Sequence, residues 1–283
     1  MSAVPETLTI ALWQCEPLPP VESLLGDHTV AENLERLDAK MAEVAGTVEL
    51  LVTPEMFVGG YNVGAEAARL RADPALRDMT VPPVDGSVAD AVSHMCAKHG
   101  VAVVYGCAEI ADDGSVYNTA RLVDATGTHL GSHHKTHLFG ELDREMFTAG
   151  ADRAPVIEFG GWHIGLLICY EVEFPEMARS LAARGADLVC VPTANMAQYN
   201  DVQRVLLPAR ALENQVFLAY ANGVGTEGDI TYGGLSTILG PTGMSVADRG
   251  GAPDLVTATI VRTDIKRARG QFCYLDDVNR DVH

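Results

Sequence analysis

Apolar positions along this chain follow two alternating rhythms. Short runs rich in β-branched and aliphatic residues, TLTIALWQ (7–14), VELLVTPE (48–55), VAVVYGCAEI (101–110), VYNTARLVD (116–124), HLGSHHK (129–135), APVIEF (154–159), WHIGLLIC (162–169), ADLVCVPTA (186–194), VFLAYANGV (216–224), GLSTILGP (234–241) and LVTATIV (255–261), predict strands. Between some of them the spacing changes to the helical period. Val30, Leu34, Leu37, Met41 and Val44 share one face of a helix predicted over 28–45, and Gly46 is its stop signal. Ser87 can cap a second helix over 87–99, with Val88, Ala91, Val92 and Met95 on one side and Gly100 beyond. The segment FPEMARSLAARG (174–185) predicts a third, with Pro175 near its first turn and Gly185 at its end. DDGS (112–115), DATG (124–127) and FGGW (159–162) predict tight turns between paired strands.

Two stretches echo each other. RLDAKMAEVAGTVELLVTPE (36–55) and MARSLAARGADLVCVPTAN (177–195) both run helix, glycine, strand, proline. Helix and strand repeats mixed with hairpins predict two sheets of mixed direction packed face to face with helices outside, an α/β fold built as a four-layer αββα sandwich. With no linker, low-complexity segment or shift in composition, residues 1–283 are expected to form a single domain.

The formal net charge of −18 is spread along the chain. That disfavours nucleic acid and anionic membrane surfaces, which require concentrated Lys and Arg. No apolar run approaches the length of a membrane span, and MSAVPETLTIALWQ (1–14) lacks the basic start and long apolar segment of a signal peptide. A reduced, cytoplasmic setting is therefore expected for the six cysteines, at 15, 96, 107, 169, 190 and 273, none of them in a C-x-x-C pair.

Several motifs fail on context. GVGTEG (223–228) matches a dinucleotide fingerprint, but the turn and strand pattern after it offers no helix N-terminus for a phosphate, so it is read as a connection between strands. HHKTH (133–137) places His133 and His137 four apart without the H-E-x-x-H pattern of zinc helices. Neither G-x-S-x-G nor a Walker A loop occurs. The chemistry that survives sits at strand ends: Glu55, Lys135 and Cys169 each follow an apolar run. A free cysteine is usually a buried core residue. Cys169, however, lies between a strand and a helix, where open α/β sheets place their ligands.

TPEMFVGGYN (53–62), HHKTHLFGELDREMFTAG (133–150), GLLICYEVEFPEMAR (165–179), PTAN (192–195) and RALENQVFLAYAN (210–222) resemble, in order and spacing, the signatures of the nitrilase or carbon–nitrogen hydrolase superfamily, from about residue 8 to residue 262. The resemblance implies the αββα sandwich, a homodimer or larger homo-oligomer, no metal or organic cofactor, and a catalytic triad of Glu55, Lys135 and Cys169. It also implies a supporting carboxylate after the lysine, at Asp143, with Glu141 and Glu145 flanking it as alternatives. Tyr61, Asn195 and Met196 are implied around the acyl pocket, and the backbone N–H of Tyr170 is the natural oxyanion donor beside the nucleophile. CYE resembles the amidase branches more than the C-W-E of nitrilases. The expected reaction is hydrolysis of a small aliphatic amide, an ω-amide of a dicarboxylate among the candidates, through a cysteine thioester. A nitrilase or N-carbamoyl amine hydrolase, or a catalytically silent scaffold, is the alternative.

Overall fold

The computed structural model describes residues 5–18, 27–61 and 86–278. In chain order, a first sheet takes β1 (Thr7–Gln14), β2 (Leu50–Val52), β3 (Ala102–Ile110), β4 (Val116–Val123) and β5 (His129–His134). A second takes β6 (Val156–Phe159), β7 (Trp162–Leu166), β8 (Leu188–Thr193) and β9 (Phe217–Asn222). β10 (Val224–Glu227) and β11 (Ile230–Gly233) form a separate hairpin, β12 (Thr237–Leu239) and β13 (Ser245–Asp248) extend the second sheet, and β14 (Asp254–Val261) returns to the first. The spatial orders are β14-β1-β2-β3-β4-β5 and β13-β12-β9-β8-β7-β6, each with three central parallel strands flanked by antiparallel ones. The helices are α1 (Asp27–Val44), α2 (Gly86–His99), α3 (Gly140–Met146), α4 (Pro175–Ala183), α5 (Leu207–Asn214), α6 (Arg262–Gln271) and α7 (Tyr274–Asp277).

The strand period sorts side chains into layers. Ile10, Leu12, Leu50, Val52 and Val104 of the first sheet meet Ile164, Leu166, Leu188, Cys190 and Phe217 of the second in one buried core. Their neighbours in sequence face outward. Ala11, Leu51, Val103 and Tyr105 pack under Leu37 and Met41 of α1 and Val92 and Cys96 of α2. Val189, Val191 and Leu218 pack under Leu181 of α4 and Leu207 and Ala211 of α5. The four layers are thus helices, sheet, sheet, helices, as the sequence predicts. Strands buried on both faces explain why the central runs read as unbroken apolar stretches rather than as alternations.

The echoing segments occupy equivalent places, α1–β2 in one half and α4–β8 in the other. The turns at 112–115, 124–127 and 159–162 join β3–β4, β4–β5 and β6–β7. GVGTEG leads through β10 into a hairpin with β11, with no helix after it. The run WHIGLLIC ends its ladder sooner than the sequence predicts. β7 stops at Leu166, and a 3-10 turn over Cys169–Glu173 intervenes before α4, so the thiol stands beyond the strand rather than on it. Cys169 opens that turn with φ +46°, a left-handed conformation uncommon for a residue with a side chain and typical of functional sites.

Candidate active site

Three loops leave the same end of the sandwich and converge. The loop after β2 carries Glu55; it is pinned by Thr53 N–H to the Val104 carbonyl and by Glu55 N–H to the Thr193 carbonyl at the end of β8 in the facing sheet. It lies so close to β3 that a Cβ on Gly106 would stand 2.5 Å from the Met56 nitrogen and 2.7 Å from the Pro54 oxygen, so only glycine fits there. Lys135 follows β5, its N–H held by the Asn118 carbonyl at 2.8 Å. Cys169 comes from the second sheet.

Glu55 and Lys135 are buried, yet every charge is met. Lys135 Nζ donates to Glu55 Oε1 and Asp143 Oδ2, each at 2.7 Å. Glu55 Oε1 also accepts from Tyr61 Oη at 2.7 Å and Asn118 Nδ2 at 2.8 Å. Three donors therefore fix one carboxylate oxygen, while the buried Oε2 has no hydrogen-bond partner among the described residues. Burial pulls the Lys135 ammonium down, but the Glu55 and Asp143 carboxylates outweigh it and hold its pKa well above the ordinary lysine range. The Cys169 thiol is pushed well above its usual value by burial and by the Glu55 charge. Lys135 and the Ala194 backbone N–H act in the opposite sense and do not cancel that rise. The group at rest is a thiol beside a carboxylate.

Of the acids after Lys135, Asp143 takes the place against the ammonium, and the Phe139 N–H donates to the same Oδ2 at 2.9 Å. Glu141 lies exposed on the cavity rim and Glu145 is exposed on the same helix, α3. Tyr61, Tyr170, Asn195 and Met196 all border the cavity of about 220 Å³ in which Cys169, Lys135 and Glu55 meet. Tyr61 is bound to Glu55 itself. The Asn195 amide nitrogen is tied within its own loop, to the Tyr199 carbonyl and Gln203 Oε1, which makes it a brace for the wall.

The histidines of HHKTH do not converge. His133 Nε2 meets the Glu171 carboxylate at 2.8 Å, the His134 ring stacks on Tyr117, and His137 Nδ1 meets Thr136 Oγ1. Glu171 itself is fully buried and accepts from Ile168 N–H at 2.8 Å, Thr136 N–H at 2.8 Å and Thr136 Oγ1 at 2.6 Å. It thereby clamps the residue after Lys135 to the residue before Cys169. Sequence reasoning missed this clamp and missed Asn118. A detectable signal for Asn118 was an amide inside the strand-like run VYNTARLV, since Asn is depleted in strands and needs a partner when buried. The apolar walls from Phe139, Leu142, Ile230 and Tyr232 were also missed.

A fold of this layering, with a thiol, a carboxylate and an ammonium at the sheet ends, defines a class of hydrolase. Residues 9–270 match the family model described as carbon-nitrogen hydrolase, and the chain belongs to that family. A "Hydrolase in pqqF 5'region" from Pseudomonas protegens is 43% identical over 278 residues, covering 98% of this chain and 91% of the relative. An "(R)-stereoselective amidase" from Pseudomonas sp. is 34% identical over 252 residues, covering 89% of this chain and 87% of the relative. Among solved structures, a glutamate-to-glutamine variant of the amidase from Nesterenkonia sp. AN1 is similar with a TM-score of 0.81 and 32% identity, covering 100% of this chain and 98% of that one. It is described as showing covalent addition of the acetamide moiety of fluoroacetamide at the active site cysteine.

Proposed function

We propose that this protein is a cysteine amidase that hydrolyses a small aliphatic amide to a carboxylate and ammonia, with Cys169 as nucleophile, Glu55 as general base and acid, and Lys135 as oxyanion donor. The observation that carries the reading is the division of labour on Glu55: Oε1 is held by three donors, and Oε2 is left free beside the cavity that Cys169 shares. A thiol whose pKa is raised does not attack as a standing thiolate. Glu55 Oε2 takes the proton as Sγ bonds to the amide carbon. The tetrahedral oxyanion is met by Lys135 Nζ and the Tyr170 backbone N–H. The proton on Glu55 passes to the departing nitrogen, ammonia leaves, and the thioester remains. Water entering that space gives its proton to the same carboxylate, attacks the thioester carbonyl and releases the acid, and the proton returns to Sγ. Asp143 supports Lys135 throughout by holding the ammonium in place.

The relatives' names support amide rather than nitrile turnover. Six free cysteines support a reduced, cytoplasmic setting for this domain. The exposed apolar side chains Val205, Leu212, Met244 and Val246 support self-association into a homo-oligomer. Among the described residues no helix is long and apolar enough to cross a membrane.

The test is ammonia release from short amides, ω-amides, carbamoyl amines and nitriles, with intact mass after acid quench. An acyl adduct on Cys169 and silence of Cys169→Ala are expected. Turnover by Cys169→Ala at a comparable rate, or an adduct on Cys107 or Cys190, refutes the assignment.

A further inference from the structure

The cavity contains an acid that the chemistry does not use. Glu173 ends the 3-10 turn that Cys169 begins, and its half-buried side chain forms part of the wall. Among the described residues its carboxylate accepts no hydrogen bond and joins no ion pair. Arg210, whose charge it feels, is committed elsewhere: Nε donates to the Val172 carbonyl, one terminal nitrogen to Glu213 Oε1, and the other to the carbonyl of Glu173 rather than its carboxylate. Burial accordingly raises the Glu173 carboxyl above its usual range, with Arg210 and Lys135 only partly opposing. A half-buried carboxylate that lines a ligand cavity and is held by no protein donor is open to a cationic group of a ligand.

The surroundings specify which ligand. Lys135 is the one cation among the described residues of the cavity wall, and Glu55 and Asp143 already share it. Glu173 in the wall and Glu141 on the rim leave the entrance with unbalanced negative charge. The wall is also aromatic: Phe139 and Tyr170 meet edge to face at 5.2 Å, and Tyr232 lines the same space. Carboxylate and aromatic faces both attract an organic cation, whereas a second carboxylate in the substrate is repelled by the first.

Resting on the amidase reading above, we propose that the acyl group of the preferred substrate bears an ammonium group that docks on Glu173, making this an amidase of amino-substituted alkanamides. Four residues of 3-10 turn separate Cys169 from Glu173, roughly 8 Å at about 2 Å of rise each. A carboxylate reaching back from there meets an ammonium a few carbons from the amide, and 4-aminobutanamide is a probe of that length.

The experiment compares kcat/KM for 4-aminobutanamide, its neutral isostere pentanamide, and the dicarboxylate monoamide succinamate, by ammonia release. The wild type is expected to prefer the amine to pentanamide by about tenfold or more, the scale of one charge-assisted hydrogen bond, with succinamate below both. Glu173→Gln is expected to collapse that ratio toward one, and Glu173→Lys to turn the preference toward succinamate. Equal wild-type rates on the amine and its isostere, a preference for succinamate, or an amine preference that survives Glu173→Gln overturns the proposal and leaves the amidase reading standing. If none of the three amides releases ammonia, this proposal falls, and the wider screen of short amides decides the amidase reading separately.

Discussion

Replacing Glu171 by Gln tests whether the site is held by the clamp behind it. The wild-type carboxylate accepts two backbone N–H groups, from Ile168 and Thr136, together with the Thr136 hydroxyl and His133 Nε2. Glutamine keeps the shape but turns one acceptor into a donor, so one side of the clamp faces a like group. The Thr136 hydroxyl can turn to His137 Nδ1, 2.8 Å away, and His133 can change tautomer, but a backbone N–H has no such freedom. One stranded buried N–H and the lost charge assistance together are worth about 3 kcal/mol. For a chain of this size that lowers Tm by roughly 5 °C. Because the clamp joins the neighbours of Lys135 and Cys169, kcat should fall by about 100-fold, the scale expected from displacing reacting groups by an ångström, with KM much less affected. The pH dependence has a defined sign. Burial works against the Glu171 charge, yet the His133 and Thr136 donors outweigh it and hold the carboxyl below its usual range. Its contribution is therefore present above the unfolded pKa of about 4.3 and is lost as pH falls through the lower folded value. The Tm gap between wild type and Glu171→Gln should be steady near neutrality and narrow only below about pH 4. A variant that matches the wild type in Tm and kcat, or a gap that widens on acidification, refutes the clamp.

Glu55→Gln and Lys135→Ala should each lower kcat by at least ~100-fold in a folded protein; near-normal turnover in stopped ammonia assays would reassign that residue. Gly106→Ala forces a methyl group against the backbone at 54–56 and should cost about 2 kcal/mol or more of stability in urea melts while lowering kcat through Glu55; an unchanged midpoint would contradict the close approach. Activity is expected to persist through exhaustive chelation, and loss with EDTA reversed by zinc would demand a different mechanism.

Elements buried on both faces were the most legible. β1 was predicted residue for residue, and β3, β8 and β9 to within a few residues at their ends, because continuous apolar runs of that length have few other uses. α5 was not read, since Pro208 interrupts VQRVLLPARALEN and proline is first of all a breaker. Here it lies in the first helical turn, after a π-turn over Val202–Leu206, where its missing N–H is harmless. The end of β7 was misplaced because hydrophobicity continues through Leu167 and Ile168, which are buried past the last registered pair, Leu166 with Cys190, with only the Leu167 N–H still reaching the Cys190 carbonyl. In the site, the three reactive types carried recognisable local signatures. Asn118 and Glu171 did not, because Glu55, His133 and Thr136, which they hold, lie tens of residues away and are brought in by strand register and by the packing of one sheet on the other.

The two sheets also govern when reactivity appears during synthesis. Glu55, Lys135 and Cys169 have all emerged once residue 169 is out, yet the strands that flank β7's own sheet on the far side, β8, β9, β12 and β13, follow the thiol, and β14 closes the other sheet by pairing with β1 from Thr7↔Val261 to Gln14↔Asp254. A nascent chain therefore carries Cys169 for nearly a hundred residues as an ordinary thiol, with neither Glu55 nor Lys135 fixed beside it by a completed sandwich. On the proposed mechanism, turnover is expected only once β14 has paired with β1, and chains truncated before that strand are expected to be chemically quiet.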